Sequence, residues 1–346
     1  MLRLKPVWSK LVMRVISAFF LVLILSGIAL PQGNEPVKRQ KVIIDCDLGG
    51  DIDDAFALAL MLSSPEFEIL GLVMEHGQTD KRAQIACKML YMTHHEEIPV
   101  VVGRETPLVV GKDTGKSIYN DQFYWAEGFK TLKPIGKSAP DFIIETLKKY
   151  PHEVILFTLA PLSNIADVIR NDPEALRLAK HIYSMIGSYY MGYDGGPKTD
   201  AEWNVYADIQ SAKLYMQKAP GKDGSNLTFA GLDITTTVRL PKEYMTKLLM
   251  RQSPLTNALT GLYSLWGDGN PTLFDAVTVA MVIWPDLFTT RPVSVSVTDQ
   301  GYTVINEGKA PNCSIGVSII RDEFIKRMID RLLRQDLGSG RNGRNM

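Results

Sequence analysis

Five carboxylates fall within ten residues, at Asp45, Asp47, Asp51, Asp53 and Asp54. Acids crowded this closely oppose one another's ionisation. A helix start accounts for two of them, since Asp53 and Asp54 suit the positive end of a helix dipole. The other three call for a different explanation. A hard divalent cation such as Ca2+ or Mg2+ supplies one, because carboxylate oxygens are its preferred ligands. Gly49 and Gly50 let the backbone turn tightly between the acids. The order is not that of an EF-hand loop, which alternates its acids and then needs a glycine and a distant glutamate.

Such a cluster needs a scaffold that carries a loop directly off the end of a strand. Residues 41–45 form a short apolar run of the kind that makes a buried strand, and residues 53–63 have the pattern of a helix. Residues 67–74, 98–102, 154–159 and 181–186 continue the strand series. Residues 81–92, 141–149 and 162–170 are the helices between them. Strands alternating with helices predict a single α/β domain: a mostly parallel, Rossmann-like central sheet with flanking helices. Ligands on such sheets bind beyond the carboxyl ends of the strands, which is where the acids lie. This domain is expected over residues 36–337, with a disordered, Gly- and Asn-rich tail at 338–346.

Lys+Arg and Asp+Glu number 38 each, and 45% of residues are hydrophobic, the balance of a globular protein. The neutral total hides a segregation, because residues 1–29 hold Arg3, Lys5, Lys10 and Arg14 and no acid. Taking those four from the 38 bases leaves a slightly acidic body with no electrostatic case for nucleic-acid binding. The basic start, the apolar run at 15–30 and the small residues Gly27 and Ala29 fit a secretory signal over 1–29, or an uncleaved N-terminal anchor. Either way the protein is expected to be exported, periplasmic or secreted. Cys46, Cys87 and Cys313 lack CxxC spacing, so a zinc ribbon is not indicated, and three buried thiols are the plainer expectation.

One rival motif also places Asp-x-Asp after a first strand. A haloacid-dehalogenase-like phosphatase would use Asp45 as nucleophile, but its motif continues with Thr or Val where this chain has Gly49. The whole segment 45–58, Asp-Cys-Asp-Leu-Gly-Gly-Asp-Ile-Asp-Asp-Ala-Phe-Ala-Leu, instead resembles the opening motif of the inosine-uridine-preferring nucleoside hydrolase family. The similarity continues in order through Ile98-Pro-Val-Val-Val-Gly-Arg-Glu-Thr-Pro-Leu108, Thr158-Leu-Ala-Pro-Leu-Ser-Asn-Ile-Ala166, Ala201-Glu-Trp-Asn-Val-Tyr-Ala-Asp208 and Leu273-Phe-Asp-Ala276.

That resemblance implies Ca2+-dependent hydrolysis of the N-glycosidic bond of ribonucleosides, giving a free base and ribose. It implies Asp47, Asp54 and Asp275 as Ca2+ ligands, with the main-chain carbonyl of Leu159 as a further one. Asp47 would also deprotonate the attacking water. Asp53 and Asn204 would hold the ribose hydroxyls, with Glu202 and Gln78 as further substrate contacts and Asp45 as support. It leaves a homo-oligomer open. Glu202, Asn204 and Asp275 also have a plainer reading as helix caps.

Three positions depart from the family pattern. Phe274 stands where a histidine would assist departure of the base, Gln78 takes the place of a loop asparagine, and Gly196 replaces another asparagine. His76, Tyr189, Tyr190 and Asp194 are the candidate substitute donors. The departures also motivate a second reading, a nucleoside- or ribose-binding relative without hydrolytic activity.

Overall fold

A computed structural model describes residues 39–105, 122–218, 226–267 and 269–334. The expected signal or anchor segment and the expected disordered tail lie outside these residues. Ten strands are present among them: β1 (Gln40–Cys46), β2 (Phe67–Met74), β3 (Val100–Val102), β4 (Val154–Thr158), β5 (His181–Met185), β6 (Leu227–Ala230), β7 (Phe288–Val293), β8 (Val295–Val297), β9 (Thr303–Ile305) and β10 (Cys313–Ile319). Eight of them form one sheet in the order β3-β2-β1-β4-β5-β6-β10-β7. Every pairing in it is parallel except β10 with β7. β8 and β9 make a separate antiparallel ribbon.

The strand order carries the functional consequence. The chain runs outward from β1 through β2 to β3, then returns to build β4, β5 and β6 on β1's other side. Connections therefore leave β1 and β4 in opposite directions and open a crevice beyond their carboxyl ends. Asp45 pairs with Thr158 across that junction, so Asp47 and Leu159 both emerge at the crevice.

Five helices matter to the site: α1 (Asp53–Leu62), α2 (Thr79–Met92), α3 (Ser163–Asn171), α4 (Trp203–Tyr206) and α5 (Phe274–Ile283). All ten residues of α1 are buried. Its sequence after the acids, Ala-Phe-Ala-Leu-Ala-Leu-Met-Leu, is apolar on every side, as a helix enclosed by neighbours must be. α5 is nearly as apolar and packs along α1. This contact brings two helix N-termini from opposite ends of the chain together. Separate apolar layers cover the two faces of the sheet: one includes α1, α2, α5 and the helix Arg321–Leu333, the other α3 and the helix Ala139–Lys149. Cys46, Cys87 and Cys313 are buried and unbridged within these layers. No helix among the described residues is long and apolar enough to cross a membrane.

Candidate active site

The loop leaving β1 turns at Gly49, whose φ of +96° suits a residue without a Cβ. An added Cβ would also lie 2.6 Å from Cδ1 of Ile85. The turn delivers Asp53 and Asp54 to the first turn of α1. Asp275 occupies the first turn of α5, 222 residues beyond Asp53, and its backbone N–H faces Oδ2 of Asp53 at 3.4 Å. Carboxylate oxygens of Asp53, Asp54 and Asp275 lie within 4.8 Å of one another, and all three residues are buried.

Burial, first, and the neighbouring acids, second, raise all three well above the ordinary aspartate range. Arg82 opposes the shift at Asp54. A side-chain contact between Asp54 and Asp275 needs a proton when no cation is present. Oδ1 of Asp54 is buried without a hydrogen-bond donor. Two helix dipoles supply only about half a positive charge each. An orphaned oxygen, three crowded acids and an all-oxygen donor set fit a hard divalent cation.

Asp47 stands at the edge of this triad. Its side chain keeps 16% of its accessibility, and Oδ2 lies 3.8 Å from Nη2 of Arg82. Its charge is felt at Asp53, Asp54, Asp275 and Glu202. The triad that the fold brings together is therefore Asp53, Asp54 and Asp275, with Asp47 beside it. Asp53 thus lies with the residues expected to bind metal rather than apart from them.

The wall from β4 to α4 is built on hydrogen bonds. Leu159 N donates to the carbonyl of Asp45 at 2.8 Å, extending the sheet by one residue, and the Leu159 carbonyl accepts from Nδ2 of Asn204 at 3.4 Å. Nδ2 also donates to the Met185 carbonyl at 3.0 Å. Glu202 caps α4, accepting from the backbone N–H of Asn204 at 2.8 Å and Val205 at 3.3 Å, and also from Gly187 at 2.9 Å. Its plainer role as a helix cap is therefore real, for a helix that begins at Trp203. Burial lifts its carboxyl to about 7 against those three N–H groups. Gln78 precedes α2, and its carbonyl accepts from Lys81 and Arg82.

Asp45 lies behind the crevice. Its Oδ1 accepts from Nδ2 of Asn164 at 2.8 Å, and its other face meets the Glu75 carboxyl. Burial pushes Asp45 up to about 7 and Glu75 well above its usual range, so one proton is shared between them. Glu75 in turn accepts from the N–H groups of Ser163 and Asn164 at the start of α3. Asp45, fully enclosed, has no path to a phosphate, which removes the nucleophile required by the phosphatase reading.

Among the expected substitute donors, Tyr189 is buried and donates to the Ile186 carbonyl at 3.1 Å. Tyr190 is exposed and accepts from Arg291. Asp194 accepts from Gly196 N. Of these, His76 lies against the start of α4, its ring edge-on to Trp203 with centroids 5.9 Å apart. Three residues not anticipated from the sequence also belong here. Tyr193 accepts from Trp203 N at 2.8 Å and meets Phe274 edge-on, with centroids 6.2 Å apart. Glu75 and Arg82 hold the loops from behind. None of the three carries a local sequence signal, because each acquires its partners only when distant segments meet.

Residues 42–326 match the family described as inosine-uridine preferring nucleoside hydrolase. The pyrimidine-specific ribonucleoside hydrolase RihA of Enterobacter sp. (strain 638) is 28% identical over 84% of this chain and 97% of its own length. The probable uridine nucleosidase 2 of Arabidopsis thaliana is 27% identical over 85% of this chain and 98% of its own. A plant nucleoside hydrolase structure shares the fold with a TM-score of 0.73 at 24% identity, covering 86% of this chain and 99% of that one. The purine-preferring ribonucleoside hydrolase structure from Gardnerella vaginalis does so with a TM-score of 0.72 at 22% identity, over 85% and 98%.

Proposed function

We propose, from the premise that the chain belongs to the inosine-uridine preferring nucleoside hydrolase family, that it cleaves the N-glycosidic bond of ribonucleosides with Ca2+ as its metal. The observation that carries the metal is the meeting of Asp53 and Asp54 with Asp275, buried and short of donors. Asp47, Asp54, Asp275 and the Leu159 carbonyl are the residues that would hold the ion. Asp53, in the same triad, is available to the ion or to a sugar hydroxyl. When bound, Ca2+ supplies a fixed positive charge that favours deprotonated water and orients sugar hydroxyls.

The chain's own residues divide the remaining work. Asp47, the accessible acid of the group, takes the proton of the attacking water, a contribution of ~10²–10⁴-fold for a well-placed general base. Breaking the bond from sugar to base builds positive charge on the sugar, which the acid-lined crevice favours. Asn204 and Glu202 hold the ribose hydroxyls, with Gln78 on the facing loop. A site built around those hydroxyls discriminates against 2′-deoxy substrates, which leave its polar groups unpaired.

Base release from a panel of purine and pyrimidine ribonucleosides, with Ca2+ and after exhaustive chelation, tests this reading. Activity lost on chelation and restored by Ca2+ is expected; equal turnover without metal would sink it. Phe274 offers no proton to a departing base, so one other outcome has a structural motive. Ca2+-dependent ribose binding by calorimetry, with no base release, would identify a binding protein that has lost catalysis.

The basic start and the apolar run at 15–30 support a reading in which this activity is exported, to the periplasm or secreted, either free or anchored. Cell fractionation with mass spectrometry of the mature N-terminus tests this, and full-length protein confined to the cytoplasm would refute it.

A further inference from the structure

Arg82 is a charged residue only 3% accessible, held on α2 behind the crevice. Its Nε donates to the carbonyl of His76 at 2.6 Å. Its Nη1 donates to the carbonyls of Asp47 and of Leu48, the latter at 3.2 Å. Its Nη2 lies 3.8 Å from the Asp47 carboxylate. One guanidinium therefore ties the loop after β1 to the loop after β2.

Both loops have reason to be tied. A Cβ on Gly50 would lie 3.4 Å from Nη1 of Arg82, so the β1 loop rests directly on the guanidinium. In the β2 loop, His76 takes a φ of +62°, a left-handed conformation unusual for a residue with a side chain. Such a conformation is strained and persists only where surrounding contacts hold it. Two contacts do so here: His76 N donates to the Arg104 carbonyl at 3.0 Å, and the His76 carbonyl receives Arg82.

We infer that Arg82 is a positioning residue that aims Asp47: it fixes the backbone at Asp47 and Leu48 to that of His76 in the neighbouring loop and keeps the carboxylate at the mouth of the acid triad. The inference rests on the reading of Asp47 as the base. Charge alone does not meet the requirement. A planar guanidinium offers five N–H groups in a fixed fork, whereas a lysine offers three from one point. Lysine cannot reach the carbonyls of two loops and stand beside a carboxylate at once. An arginine that merely neutralised buried acids would be replaceable by lysine.

The test compares wild type, Arg82→Lys and Arg82→Gln in the Ca2+-loaded protein. It reads steady-state kinetics per folded site and hydrogen exchange of the peptide covering residues 46–52. Misplacing a catalytic group by about 1 Å costs ~10²-fold. Both variants are therefore expected to lose kcat on that scale, with KM held within about threefold, because the lost interaction acts in the transition state. Residues 46–52 are expected to exchange faster in both variants while β1 and β4 remain protected. A lysine variant with kcat and exchange like wild type would overturn the inference, since charge would then suffice. If the wild type releases no base from any nucleoside, the reading of the reaction fails, and exchange alone decides whether Arg82 holds the loop. Unchanged exchange in both variants would refute the tie itself.

Discussion

Two groups of buried acids lie at the carboxyl end of the sheet and are served differently. The rear group, Asp45 and Glu75, has two carboxyls and three N–H donors, from Ser163 N, Asn164 N and Asn164 Nδ2. Asp45 Oδ2 is buried without an N–H donor there, and the proton shared with Glu75 is what remains for it. The front group, Asp53, Asp54 and Asp275, has three carboxyls and one long N–H contact, at 3.4 Å. Asp54 Oδ1 is likewise buried without a donor, so each group has one orphaned oxygen and the two differ in how many N–H donors face their carboxyls. Burial is common to both groups, so burial does not mark the site. The shortage of donors does, because an uncompensated buried carboxylate is what a cation relieves.

Conservative changes at the two groups should break this symmetry most. Asp275→Asn removes a charge from the front group and is expected to weaken Ca2+ binding by well over ~10-fold, the lower bound for even a supporting residue of a metal site. Activity at limiting Ca2+ should fall with it. Glu75→Gln keeps a polar group able to donate to Asp45 and should leave Ca2+ affinity within about twofold of wild type, as befits a group whose contacts are all internal. Calorimetric Ca2+ titrations decide the point. Equal losses in the two variants would mean that both groups serve the ion.

Stability of the metal-free protein should move in opposite directions. Glu75→Ala strands the N–H groups of Ser163 and Asn164 in the interior and is expected to cost ~1–3 kcal/mol. Asp54→Asn removes one of three repelling acids and gives its neighbours an N–H donor, so the metal-free protein should melt higher. Thermal melts in chelator provide the check. A destabilised Asp54→Asn would show that the front group is held by contacts rather than strained by charge.

How much of this was legible in the sequence depends on how local each signal is. The strand at 41–45, the glycine turn and the helix start at Asp53 were readable because an apolar run, two glycines and paired acids sit side by side. The strands at 154–159 and 181–186 each end one residue earlier than expected, at Thr158 and Met185. β7 carries no clear strand signal, because its exposed Thr-Thr-Arg-Pro stretch lacks alternation and contains a proline, which an edge strand tolerates. Asp275 could be tied to the acid cluster only through the family resemblance, since nothing within its own segment points across 222 residues. Arg82 lies in a helix where a charged residue reads as a solvated face. Its burial depends on two loops folding over it, which no local pattern encodes.

The smallest effect, and the most direct probe of the comparison, is the pH dependence of melting. Asp53, Asp54 and Asp275 are raised above their ordinary range by burial first and repulsion second, and burial lifts Glu202 to about 7. In the unfolded chain these acids ionise near pH 4. Between that value and the folded one, the folded state holds more protons than the unfolded state. Their contribution to stability is therefore complete below about pH 4 and is lost as pH rises through the folded values. Metal-free protein should melt lower at pH 8 than at pH 5.5. The proposed Ca2+ would bind the ionised triad, so its stabilisation should grow over the same interval, reaching ~2.7 kcal/mol at a hundredfold excess over Kd. In a protein of this size that is a rise of several degrees. Glu75→Gln should shift the baseline and leave the Ca2+ increment intact, because the rear pair of carboxyls already faces three N–H donors. Metal-free melting that rises toward pH 8, or a Ca2+ increment equal at both pH values, would mean that the front acids are not the ones that ionise to receive the ion.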